Sequence, residues 1–237
     1  MSISSDEAKE KQLVEKAELR LAIADSPQKF ETNLQTFLPP LLLKLASPHA
    51  SVRTAVFSAL KNLISRINTL PQVQLPVRAL IVQAKEPNLA AQQDSTNVRL
   101  YSLLLASKGI DRLSLQDRQQ LLPLVVSNIS CLTGTVAARM FHILLKLILE
   151  WVAPQESSHE QEEFVQFLQL DNDGFSFLMR QFTRFFLLVP SKQVQVSQQP
   201  LSRGYTCPGL SLTDVAFFTY DAGVTFNKEQ LNKFKKA

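Results

Sequence analysis

The chain has 237 residues, 45% of them hydrophobic, and a net charge of +4 from 25 basic and 21 acidic side chains. The bases are scattered through the apolar segments and gather only near the end, which excludes a nucleic-acid footprint. Lys44, Lys146 and Arg184 interrupt the longest apolar runs before the roughly 18 residues that a membrane span requires, which excludes membrane insertion.

The first sixteen residues alternate acids and bases where an export signal would carry an apolar core, so nothing directs export. Over residues 5–24, Leu13, Ala17, Leu21 and Ala24 mark one side of a helix and charged residues the rest. Such a wide polar face suits the end of a helical array, so residues 1–25 are expected to form an N-terminal capping helix that starts it. Asp25-Ser26-Pro27 then supplies a stop and a restart, with Pro27 at the first helical position.

The stretch 34–67 carries the strongest pattern. Leu34, Phe37, Leu38, Leu41, Leu42 and Leu45 step by three and four, and after Ala46–Ser51 so do Val52, Val56, Leu60, Leu63, Ile64 and Ile67. Two amphipathic helices with Pro48 in the joint predict an antiparallel hairpin. The consecutive prolines Pro39 and Pro40 remove two backbone donors, so a break or kink is expected at 38–40.

One hairpin cannot bury both of its stripes, and the sequence repeats the motif. Shifted by 84 residues, eleven of the twelve stripe positions are apolar again, from Leu121 to Trp151, and Pro39 falls on Pro123. Half of that shift is 42, inside the period of about 40–47 residues of HEAT and armadillo repeats. An intermediate unit lies between, in Leu75–Val82 and Val98–Leu105. The third unit spans Ser114–Ile129 and Thr135–Trp151 and ends at Val152-Ala153-Pro154.

A polar segment, Gln155–Glu163, leads into Phe164–Leu170 and a phenylalanine-dense helix over Phe175–Val189, stopped by Pro190. That helix reads as buried between two neighbours, a partner groove being the alternative. The expected architecture is therefore all-α: an α-solenoid of three to four HEAT-like hairpins over residues 26–190. A C-terminal irregular segment, an extended loop or excursion, follows over 191–226, and 227–237 begins a further helix. An array ending there carries no visible cap, so further repeats of a longer chain are expected beyond it.

No spacing here serves catalysis, a cofactor or a metal. The glycines form no phosphate loop and no nucleophile elbow, and His49, His142 and His159 are too far apart for a local metal motif. Asp171-Asn172-Asp173-Gly174 has its glycine too early for a calcium loop and reads as a helix N-cap. Asn128-Ile129-Ser130 is a formal glycosylation sequon whose Ile129 lies on the buried stripe. Cys131 and Cys207 are expected as unbridged thiols, and Lys228, Lys233, Lys235 and Lys236 as a solvated face.

Leu38-Pro39-Pro40-Leu41-Leu42-Leu43-Lys44-Leu45, the following Val52-Arg53, and downstream Gln74-Leu75-Pro76-Val77 with Leu80 and Val82-Gln83 carry a resemblance. They resemble the N-terminus of the large HEAT-repeat adaptor and scaffold protein family of the 26S proteasome, whose members are several times longer. The acidic residue usual in the hairpin turn is replaced by Ser47-Pro48-His49, and the third unit's arginine falls at Arg139, so an Asp–Arg ladder is not expected. The resemblance implies a non-enzymatic tether that binds regulatory and core particles of the proteasome, stabilises or quality-controls that assembly, and works in cytoplasm and nucleus. The alternative is a HEAT-type nuclear transport or trafficking receptor for protein cargo. No individual partner-binding residue is assigned.

Overall fold

The computed structural model describes residues 5–86, 95–148, 162–163, 166–187, 189–190 and 205–206. They form an all-α, HEAT-like solenoid fold, in two units, Met1–Ser114 and Leu115–Ala237.

In the first unit, helix α1 (Ser5–Ala22) is followed by α2 (Pro27–Leu43), α3 (Ala50–Thr69), α4 (Val77–Lys85) and α5 (Ser95–Ile110). Pro27 opens α2 as the sequence predicts, and the Ser26 hydroxyl accepts from the Lys29 N–H at 3.2 Å, satisfying one orphan donor of the first turn. The stripes are buried: Leu34, Leu38, Leu42, Leu45, Val52, Val56 and Ile67 are each fully buried, and Phe30 joins them. Phe37 and Ile64, expected on the same stripes, are only half-buried.

The break expected at 38–40 does not occur, because α2 continues through Pro39 and Pro40 to Leu43 before tightening into a 3-10 turn, Lys44–Ala46. The prolines sit toward solvent while Leu38, Leu41 and Leu42 on either side are buried. Apolar burial holds the segment helical where propensity alone would end it.

α2 and α3 form the hairpin, and α4 and α5 pair in the next one. There Gly109 of α5 lets the backbone come so close that a Cβ in its place would meet Val77 Cγ2 at 2.4 Å. Between hairpins, α1, α3 and α5 lie side by side and parallel. Ser51 of α3 donates to Glu7 of α1 and Asn62 to Glu18, both 44 residues back. The ring centroids of Phe57 on α3 and Tyr101 on α5 are 5.6 Å apart, at the same 44-residue interval. These three contacts thus join residues 44 apart in neighbouring repeats.

In the second unit, α6 (Leu115–Gln119), α7 (Leu122–Val126), a 3-10 turn (Ile129–Cys131), α8 (Gly134–Ile148) and α9 (Asn172–Phe186) are the described helices. The single helix expected over Ser114–Ile129 is split in two. Pro123 lies in the first turn of α7, where a missing N–H costs nothing, and it disfavours helical backbone just before it. The second helix begins at Gly134, 84 residues after Ala50 opens α3, as the shifted pattern requires.

Phe141 of α8 anchors α9. Its ring centroid lies 5.2 Å from that of Phe182 and 6.1 Å from that of Phe185. After α9, strands β1 (Val189–Pro190) and β2 (Tyr205–Thr206) pair antiparallel, Val189 opposite Thr206. Trp151, His159, Cys207, the lysines from Lys228 onward and the helix expected over 227–237 lie outside the described residues.

Candidate partner surface

The parallel layer α1–α3–α5 is joined by arginines that cap the ends of their neighbours. A helix leaves its last four carbonyls without intrahelical partners, and its C-terminus carries partial negative charge. The Arg66 guanidinium of α3 reaches back to α1 and donates to the carbonyls of Leu21 at 2.7 Å, Ala22 at 3.0 Å and Ala24. One repeat on, Arg112 donates to Ile67 at 2.8 Å, Leu70 at 3.1 Å and Val73 at 2.6 Å, capping the end of α3. Burial pulls the Arg112 pKa below its ordinary value, with Asp111 opposing.

The second arginine pair repeats at the same interval. Arg53 donates to the Ser47 carbonyl at 2.7 Å, and Arg99 to that of Glu86 at 2.8 Å, so each Val-Arg doublet fastens its own helix to the preceding turn. Arginine-to-carbonyl contacts stand where a HEAT array would carry an Asp–Arg ladder. Val52-Arg53 stands out in the sequence at the start of a helix, whereas Arg66 and Arg112 sit at helix ends with no motif to mark them, although both arginine pairs recur 46 residues apart.

At the other end of α1 the attachment is carboxylate-based. Lys44 Nζ lies 2.7 Å from Glu10 Oε1, and Ser47 Oγ donates to Glu10 Oε2. Those two donors hold the Glu10 carboxyl below the ordinary glutamate range, against a smaller opposing effect of burial. His49 sits beside Glu7, Nδ1 to Oε2 3.9 Å.

This framework leaves two kinds of surface open. On the first unit, Leu13, Leu19 and Ile23 of the α1 region are exposed among charges, with Phe57 of α3 partly exposed. On the second, α9 buries Phe177, Leu178 and Phe185 while Phe175, Met179 and Phe186 stand about half exposed. Their spacing of four and seven places these three on one stripe roughly a third of a turn from the buried face. The expected burial of the phenylalanine-rich helix between two neighbours therefore holds for one of its faces, and another carries an apolar stripe.

The Asp171 side chain accepts from Gly174 N–H at 2.6 Å and is the N-cap of α9. Ile129 of the formal sequon is fully buried, and Cys131 is an exposed free thiol. His49 lies in the α2–α3 turn and His142 on α8, and among the described residues no cluster of His, Cys, Asp and Glu could hold a metal ion. No helix among them is long and apolar enough to cross a membrane.

The family model described as "Proteasome component ECM29, N-terminal" matches residues 14–237. The "Proteasome adapter and scaffold protein ECM29" of Homo sapiens is 31% identical over 163 residues, covering 69% of this chain and 8% of that protein. The "Proteasome-associated protein ECM29 homolog" of Drosophila melanogaster is 32% identical over 151 residues, covering 64% and 8%. The "Proteasome component ecm29" of Schizosaccharomyces pombe is 33% identical over 121 residues, covering 51% and 7%. The chain thus spans less than a tenth of the length of these relatives. No solved structure matches.

Proposed function

The chain belongs to the proteasome component ECM29 N-terminal family, and from that membership we propose that it is a non-enzymatic scaffold segment that binds the proteasome. In this reading it helps tether the regulatory particle to the core particle and stabilises or quality-controls the assembly, in cytoplasm and nucleus. The observation that carries the proposal is the family match through residues 14–237, reinforced by the names of the human and fly relatives, proteasome adapter and proteasome-associated protein. Those names favour this reading over a transport receptor.

The physical character of the first unit supports the same type of role. Repeats stacked side by side bury their apolar stripes between neighbours and present successive helices as one continuous face, which suits contact with large protein surfaces. Affinity-tagged residues 1–237 expressed in cells test the proposal by co-purification. Regulatory- and core-particle subunits in the eluate are expected; transport cargo or a small GTPase in their place would overturn it.

A further inference from the structure

Helices α1, α2 and α3 line an open-mouthed cavity of about 240 Å³, with Leu21, Leu41, Ala59 and Leu63 forming its apolar wall and the exposed Ala22 also lining it. The small side chain of Ala59 contributes to this hollow. The arginine pairs set a 46-residue correspondence between α3 and α5, Arg53 with Arg99 and Arg66 with Arg112, and in that register Ala59 corresponds to Leu105. Leu105 is fully buried. Where α5 buries a leucine, α3 carries the smaller alanine.

The polar side of the cavity carries a carboxylate that makes no direct ion pair among the described residues. Glu18, Asn62 and Arg66 line it. Arg66 is committed to the carbonyls of Leu21, Ala22 and Ala24, and its guanidinium carbon lies 4.2 Å above the Phe30 ring. Glu18 accepts only from the Asn62 amide, at 3.3 Å, and among the described residues no cation pairs with it. An apolar hollow with a carboxylate at its edge is complementary to an apolar group that carries positive charge beside it.

We propose that this cavity is a docking pocket for one large apolar side chain of a partner protein segment in which a lysine or arginine stands next to that side chain. The volume is below the about 300–1,000 Å³ of sites for drug-sized ligands and suits a single anchor residue of the kind that dominates protein interfaces. The apolar residue fills the space left by Ala59, and the adjacent cation pairs with Glu18. The inference does not depend on which assembly supplies the segment.

Methyl NMR of the 237-residue chain, titrated with acetyl-Phe-Lys-amide and with acetyl-Phe-Glu-amide, tests it. The lysine peptide is expected to shift the Ala22, Ala59 and Leu63 methyls with a dissociation constant of about 1 mM. The glutamate peptide should bind about threefold more weakly or worse, and Glu18→Gln should abolish that difference. Ala59→Leu installs the residue that α5 carries at the corresponding place and should eliminate the shifts. Ala22→Leu closes the same space from the exposed side of α1 and serves if the first variant does not fold. Equal binding of the two peptides, or shifts that persist in the folded filled variants, overturns the proposal. So does a pocket that toluene enters and neither peptide does, which would be a packing void.

Discussion

Arg66 lies over the ring of Phe30, its guanidinium carbon 4.2 Å from the centroid, while its nitrogens donate to Leu21, Ala22 and Ala24. One side chain thus ties α3 to the end of α1 and to α2. Replacing it by lysine keeps the charge but loses the planar fork and the stacking. Arg66→Lys is expected to cost about 1–2 kcal/mol and Arg66→Ala about 2–3 kcal/mol, since bonds from a charged donor are worth more than neutral ones. Chemical denaturation checks the order, and hydrogen exchange should show the loss first in α1.

Arg112→Ala should act in the same way one repeat later. It leaves the Ile67, Leu70 and Val73 carbonyls without their common donor. Faster exchange at the end of α3, with α1 unaffected, is the expected signature. Equal loosening of both helices would show that the two caps are not separate inter-repeat latches.

Gly109→Ala places a methyl against Val77 Cγ2, 2.4 Å away, where α4 begins. The alanine gain in helix propensity is smaller than the cost of moving a buried side chain, so a net loss of about 1–3 kcal/mol is expected. Val77→Ala should recover part of it in the double variant. Thermal melts of the single and paired variants measure the coupling.

Glu10 predicts an acid dependence. Its folded pKa lies below the ordinary 4.5 because Lys44 and Ser47 donate to the ionised form. A depressed carboxylate pKa gives stability that is present above about pH 4.5 and disappears as pH falls through the lower folded value. The pair is only partly screened from water, so the effect is about 1 kcal/mol or less. Melts between pH 3 and pH 6 should show a steeper acid loss in the parent chain than in Glu10→Gln, the α1 amides exchanging first.

The hairpin pattern was legible because it rests on apolar spacing. Leu42, Leu63 and Leu144 were each readable as core and are buried. The 84-residue shift was likewise visible, but halving it was not justified. Val52 to Val98 is 46 residues and Val98 to Val136 is 38, so the repeats are unequal while their sum is kept. The Pro39-Pro40 segment misled because burial outweighed local propensity, whereas Pro123, at the start of a short helix, did break the pattern. The arginine caps were hidden for another reason. Their acceptors are backbone carbonyls, which every residue possesses, so no pairing of side-chain types announces them. The cavity was equally silent, since Ala59 is an ordinary apolar residue in sequence and becomes informative only when compared with Leu105 in the 46-residue correspondence of the arginine pairs.

The central claim, that this chain is a proteasome-binding scaffold segment, is tested most directly by crosslinking mass spectrometry on proteasomes isolated with the endogenous full-length protein. Exposed lysines of the first unit, Lys9, Lys11, Lys16 and Lys61 among them, offer reporters along α1 and α3. The account predicts crosslinks from this segment to proteasome subunits, reproducible at defined lysines. Crosslinks confined to other cargo, with none to the regulatory or core particle, would contradict it.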